Sequence, residues 1–89
     1  MKQIKITVRG EVQGIFFRSF VHEEALRLKL KGYVRNTDKG AVEVVAQGRD
    51  EQLKELVERC KQGPKAARVD KVEVKEERVS DFDGFEIRY

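Results

Sequence analysis

The feature that most limits the folds open to this chain is a change of hydrophobic period around residue 17. From Gln3 to Arg9 apolar and polar residues alternate, with Ile4, Ile6 and Val8 on one face and Lys5, Thr7 and Arg9 on the other. Alternation with period two is the pattern of a half-buried strand. From Phe17 the apolar residues recur at helical spacing, with Phe17, Val21, Ala25 and Leu28 on one stripe. The intervening Gly10–Ile15 segment carries two glycines and reads as a loop. A strand with one apolar face and a helix with one apolar stripe must bury them against each other and against further strands.

The rest of the chain supplies those strands. Leu30 tucks under the end of the helix, and Gly32 opens a second strand over Tyr33–Asn36. Thr37-Asp38-Lys39-Gly40 reads as a hairpin turn in which Gly40 is free to adopt positive φ. A third strand runs Ala41–Gln47, with Val42, Val44 and Ala46 on one face, and ends at Gly48. Asp50 is the expected cap of a second helix, whose stripe is Leu53, Leu56, Val57 and Cys60; Gly63-Pro64 stops it. A fourth strand spans Val69–Glu77. Val72 and Val74 point one way and Val69 is out of phase, so a bulge is expected near Asp70. After the turn Ser80–Gly84 a short last strand alternates Phe85, Ile87 and Tyr89. The order predicts a single α+β domain over residues 1–89 with the ferredoxin-like split βαβ arrangement. This is βαββαβ with an extra C-terminal strand, two helices packed on one face of a predominantly antiparallel sheet.

Composition excludes several classes. Apolar residues form 39% of the 89, enough for a small two-layer core and too many for a disordered tail. No apolar run approaches the roughly 20 residues of a membrane helix, and Met1–Lys5 has no signal-peptide core. Cys60 is the only cysteine and His22 the only histidine, so an internal disulfide, a Cys-rich metal site and a His-based zinc site are not expected, and a reducing cytoplasmic setting fits. Nineteen Lys and Arg against sixteen Asp and Glu give +3, but the signs alternate along Asp50–Glu55 and Lys71–Arg78. Such a pattern describes an ion-paired surface better than a nucleic-acid patch. Charged residues at 39%, against about 25% in ordinary domains, also suit a heat-adapted protein. No oligomer surface stands out, so a monomer is the default.

The stretch Gly10-Glu11-Val12-Gln13-Gly14-Ile15-Phe16-Phe17-Arg18 lies where the first strand turns into the first helix. A loop entering a helix can aim successive backbone N–H groups at one point, where the positive end of the helix dipole also favours an anion. Arg18 follows, and its planar fork can make two parallel hydrogen bonds to two phosphate oxygens. The spacing matches neither a Walker loop nor the dinucleotide Gly-x-Gly-x-x-Gly pattern. An anion site and a plain strand-to-helix turn, with Arg18 as a surface ion-pair partner, both remain open on this loop alone.

A second segment, Gly32-Tyr33-Val34-Arg35-Asn36-Thr37-Asp38-Lys39-Gly40-Ala41-Val42 with Gly48 beyond it, narrows the choice. Together the two segments resemble the two signature motifs of the acylphosphatase family. Gly10, Val12, Gln13, Gly14, Ile15, Phe17 and Arg18 match the first, and Gly32, Tyr33, Val34, Arg35, Asn36, Gly40, Val42 and Gly48 the second. Gly63-Pro64 and Ala67-Arg68-Val69 resemble the family's segment before its fourth strand, so the likeness covers essentially the whole chain. Ile15 departs from the usual valine. Lys29 stands where many relatives carry a helix-ending glycine, which strains that turn.

The resemblance implies hydrolysis of the carboxyl–phosphate bond of acyl phosphates. The substrate is then a small acyl phosphate, and inorganic phosphate is both product and competitive inhibitor; no metal, cofactor, nucleic acid or membrane is involved. The backbone amides of Gln13, Gly14, Ile15, Phe16, Phe17 and Arg18, with the Arg18 guanidinium, are expected to hold the phosphoryl group. Asn36 is assigned, by likeness to the family, to orienting the attacking water. Arg18 and Asn36 form the catalytic set. Thr37 and Ser19, which flank these two, are left out of it. His22 is expected on the surface, Cys60 in the core, and Glu11 in solvent; Tyr33 and Phe85 are read as packing residues rather than lining the substrate mouth. Two other functions share the same element order. An RNA-recognition module needs stacking aromatics on its central strands, and the first and third strands here have none. A phosphate- or carbamoyl-binding regulatory domain is the remaining alternative.

Overall fold

Each period read from the sequence becomes an element of the computed structural model, which describes residues 1–89. The elements are β1 (Lys2–Glu11), α1 (Phe17–Arg27), β2 (Lys31–Asn36), β3 (Val42–Gly48), α2 (Asp50–Gln62), β4 (Arg68–Glu77) and β5 (Phe85–Arg88). The five strands form one sheet in the order β4-β1-β3-β2-β5. Every pairing is antiparallel except β2 with β5, which is parallel. Both helices lie on one face, giving the ferredoxin-like α+β architecture.

The core follows from the alternation. Ile4, Ile6 and Val8 of β1, Val34 of β2 and Val42, Val44 and Ala46 of β3 are buried on the helix side. Phe17, Val21 and Ala25 of α1 and Leu53, Leu56 and Cys60 of α2 close over them. Burial pushes the Cys60 thiol up to about 12, so it behaves as a small apolar side chain. The bulge expected near Asp70 is present: Arg9 pairs with Lys71 and Gly10 with Val69, leaving Asp70 as the extra residue. Gly10 has φ 137°, and a Cβ there would overlap the Arg68 carbonyl, so the close crossing of β1 and β4 requires glycine.

Three expectations need correction, and one pair of buried polar residues has to be added to them. Asp50 is not the cap of α2. Arg49 holds that position in an extended conformation and its N–H donates to Gln52 Oε1 at 3.2 Å, while Asp50 opens the first turn and pairs with Lys2 at 3.0 Å. Gln3 and Gln47, on the polar side of the alternation, are 3% exposed. They face each other across β1 and β3, and the chain between β4 and β5 crosses over them. Gln47 Nε2 donates to Gln3 Oε1 at 2.7 Å and to the Ser80 carbonyl, and the Ser80 N–H donates to Gln3 Oε1 at 2.7 Å. The crossing segment thereby satisfies both amides away from water. His22 is half-buried, with Nε2 3.2 Å from the Phe85 carbonyl, and ties α1 to β5. Tyr89 lies beyond the end of β5, 97% exposed, rather than in its alternation.

Lys29 has φ 60°, the left-handed conformation in which a side chain is strained. The turn is imposed by the Leu30 N–H reaching back to the Ala25 carbonyl at 2.9 Å, which tucks buried Leu30 under α1. Lys29→Gly is expected to stabilise the protein by about 0.5–1 kcal/mol, the relieved strain less the added chain entropy of glycine. A rise in thermal midpoint of a few degrees checks it.

Candidate active site

Three chain segments meet at one end of the sheet. Val42 of β3 pairs with Val8 of β1 on one side and with Asn36 of β2 on the other. Asn36 therefore lies two strand spacings, roughly 10 Å, from Val8, three residues before β1 ends at Glu11. β5 runs parallel to β2, with Arg88 opposite Arg35, so Tyr89 emerges at the same end. A cleft of about 330 Å³ is bounded there by Val12, Gly14, Phe16, Phe17, Arg18, Ser19, Asn36, Ile87 and Tyr89.

The loop between β1 and α1 supplies donors. No N–H from Gln13 to Phe16 donates to a carbonyl or side chain of the protein. The N–H groups of Phe17, Arg18 and Ser19 belong to the first turn of α1, where no intrahelical acceptor exists. Gly14 at φ 74° and Phe16 at φ 64° both take the left-handed conformation. For Phe16 this conformation costs about 1–2 kcal/mol. The first turn of α1 has no acidic residue and no side-chain cap, whereas α2 has Asp50 and Glu51 in its first turn. The positive end of α1 is thus left uncompensated at the cleft.

Arg18 stands at the same place and is in no ion pair, which removes the surface ion-pair alternative. One guanidinium N–H donates to the Arg88 carbonyl at 3.2 Å, and the guanidinium carbon sits 4.6 Å from the centre of the Tyr89 ring. These contacts hold one edge of the guanidinium against β5 and leave its other donors without a protein partner. Arg35 is different. It alternates onto the opposite face of the sheet and is committed to Glu43 through Nε–Oε2 at 2.9 Å, with the Tyr33 hydroxyl on the same carboxylate at 3.0 Å. Burial raises the Glu43 carboxyl, and the Arg35 and Tyr33 hydrogen bonds outweigh it and hold the group below the usual range.

Asn36 is half-buried, and its Oδ1 is enclosed with no hydrogen-bond partner. Buried polar atoms are rarely left so, and the other such atom in this chain, Arg59 Nε, lies on α2 away from the cleft. Gln13 fixes the loop to the hairpin that carries Asn36: its Nε2 donates to the Thr37 carbonyl at 2.9 Å and to the Ala41 carbonyl at 2.8 Å. The reading of the sequence missed this strap, since it counted only the main chain of Gln13. Thr37 Oγ1 accepts from the Ala41 N–H at 3.1 Å and closes the hairpin; Glu11 faces solvent beside Arg68 at 3.3 Å. Ser19 borders the cleft, Phe85 is in the core, and Tyr33 lies on the far side of the sheet. No group of three or more His, Cys, Asp or Glu side chains is placed to hold a metal ion.

Fold and cleft together describe a ferredoxin-like α+β protein with unpaired backbone donors in a strand-to-helix loop. The acylphosphatase family model matches residues 4–87. An acylphosphatase of Caldivirga maquilingensis is 47% identical, over 98% of this chain and 94% of its own length. One from Aeropyrum pernix is 49% identical, over 96% and 86%. The crystal structure of acylphosphatase from Bacillus subtilis superposes with a TM-score of 0.95 at 41% identity, covering both chains completely. The chain belongs to the acylphosphatase family, and it is an enzyme of that family.

Proposed function

We propose that this chain hydrolyses the carboxyl–phosphate bond of acyl phosphates to a carboxylate and inorganic phosphate, by in-line attack of water on a phosphoryl group held in the cleft. The observation that carries the reading is one cleft bounded by Arg18, Asn36 and a loop whose amides have no protein partner. The leaving carboxylate has a conjugate acid of pKa roughly 4–5 and departs unprotonated at neutral pH. No general acid is therefore required, and no Asp, Glu or His side chain lines the cleft.

What remains is binding, charge stabilisation and placement of water. The amides of Gln13, Gly14, Ile15, Phe16, Phe17 and Arg18 cradle the phosphoryl oxygens, and the Arg18 guanidinium closes over two of them. Asn36 Oδ1 accepts from the water and turns its lone pair to phosphorus, while the Asn36 amide donates to a neighbouring oxygen. The chain works as a single domain and a monomer, since the loop, Arg18 and Asn36 all come from one copy. A lining of amides, guanidinium and carboxamide supports a metal-independent reaction. The lone, buried Cys60 supports a cytoplasmic setting. No helix is long and apolar enough to cross a membrane.

The test is release of phosphate from benzoyl phosphate with and without EDTA. The expected result is EDTA-insensitive hydrolysis, inhibited competitively by inorganic phosphate. No hydrolysis overturns the proposed activity. Loss of activity in chelator that returns with a divalent cation overturns the metal-free route.

A further inference from the structure

We propose that the Phe16 side chain is a specificity determinant that receives the acyl group and biases this chain toward aromatic acyl phosphates; this rests on the acyl phosphate reading above. Phe16 is 83% exposed and its backbone is left-handed, at φ 64° and ψ 23°. Both features are unfavourable for a phenylalanine. The anion cradle needs only the Phe16 N–H and its backbone angle. Glycine or asparagine would supply both at less strain and without exposing a ring. The strain thus serves the loop, but the choice of an aromatic side chain at this position is left unexplained by phosphate binding.

The position of the ring explains it. Phe16 borders the cleft that contains Arg18 and Asn36, together with Val12, Ile87 and Tyr89. Phe16 and Tyr89 are the only aromatic residues more than four-fifths exposed, at 83% and 97%, and both are at this mouth. Tyr89 is steadied there by the Arg18 guanidinium, 4.6 Å from its ring centre. An acyl phosphate seated by its phosphoryl group must direct its acyl group out through this mouth. An aryl group can stack against the ring of Phe16 in an offset or edge-on arrangement; the methyl of an acetyl group has no face to offer.

The experiment compares kcat/KM for benzoyl phosphate and for acetyl phosphate in the full chain and in Phe16→Ala and Phe16→Asn. The native chain is expected to show the lower KM for benzoyl phosphate. In the variants the benzoyl-to-acetyl ratio of kcat/KM is expected to fall about tenfold. Both substrates present the same phosphoryl group, so damage to the cradle cancels in the ratio. Asparagine tolerates the left-handed backbone, so Phe16→Asn decides the matter if Phe16→Ala does not fold. A ratio that stays within about twofold of native overturns the acyl subsite. In that case hydrolysis of both substrates by the native chain leaves the proposed function standing. A native chain that hydrolyses neither overturns the proposed function, and the subsite with it.

Discussion

Arg18→Lys is expected to lower kcat/KM for benzoyl phosphate about a hundred- to a thousandfold, while moving the thermal midpoint by no more than about 4 °C. Lysine keeps the positive charge, so simple attraction of the dianion survives. What it loses is the planar pair of donors that can meet two phosphoryl oxygens at once. It also loses the two contacts that aim the group, the 3.2 Å bond to the Arg88 carbonyl and the stacking on Tyr89. Arg18 is only half-buried and forms no ion pair, so the fold does not depend on it. Steady-state kinetics, with inhibition by inorganic phosphate and a melting curve on the same sample, check the prediction. A lysine variant that turns over at the native rate would show that charge alone suffices and that the fork plays no part.

The two periods around residue 17 were enough to lay out most of the fold, because the burial of Ile4, Ile6 and Val8 against Phe17, Val21 and Ala25 is what both patterns record. Asp70 could be recognised as a bulge because Val69 and Val72 cannot share a face in a regular strand. Side chains whose environment is set by distant segments were not legible. Gln3 and Gln47 look like solvent-facing residues until the chain around Ser80 covers them, and nothing local announces that crossing. His22 sits off the apolar stripe, and only β5, some sixty residues later, gives it a partner. Asp50 had the right chemistry for a cap, but the helix begins one residue earlier and uses Gln52.

The candidate site divides in the same way. The loop Gly10–Arg18, through its glycines and the helix behind it, left an anion-binding turn and a plain strand-to-helix turn equally open. The bond from Gln13 to the hairpin and the left-handed backbone of Phe16 left no mark in the pattern. Asn36 on its own is an unremarked residue at a strand end. It came forward through likeness to a family motif, and its position depends on β3 pairing with both β1 and β2, a non-local arrangement that no local period encodes. That arrangement puts the residue beside the loop, and the strap from Gln13 holds the two at a fixed separation.

Asn36→Ala should separate activity from stability. In the folded protein its Oδ1 is enclosed without a partner, a state that costs about 1–3 kcal/mol relative to hydration. Truncation to alanine removes that unsatisfied atom and little packing, so the thermal midpoint is expected to hold or to rise by a few degrees. Activity is expected to move the other way. If the carboxamide orients the attacking water, its contribution is realised chiefly in the transition state. kcat should then fall about a hundred- to a thousandfold while KM changes by less than about threefold. Rates and a melting curve measured on one preparation decide between the readings. A variant that is both slower and markedly less stable would make Asn36 a structural residue of the hairpin. A rise in KM with kcat preserved would make it a substrate ligand, and the water would have to be placed by the loop amides instead. Lost turnover in a protein at least as stable as its parent is the signature of a polar group kept unsatisfied by the fold so that the reacting water can satisfy it.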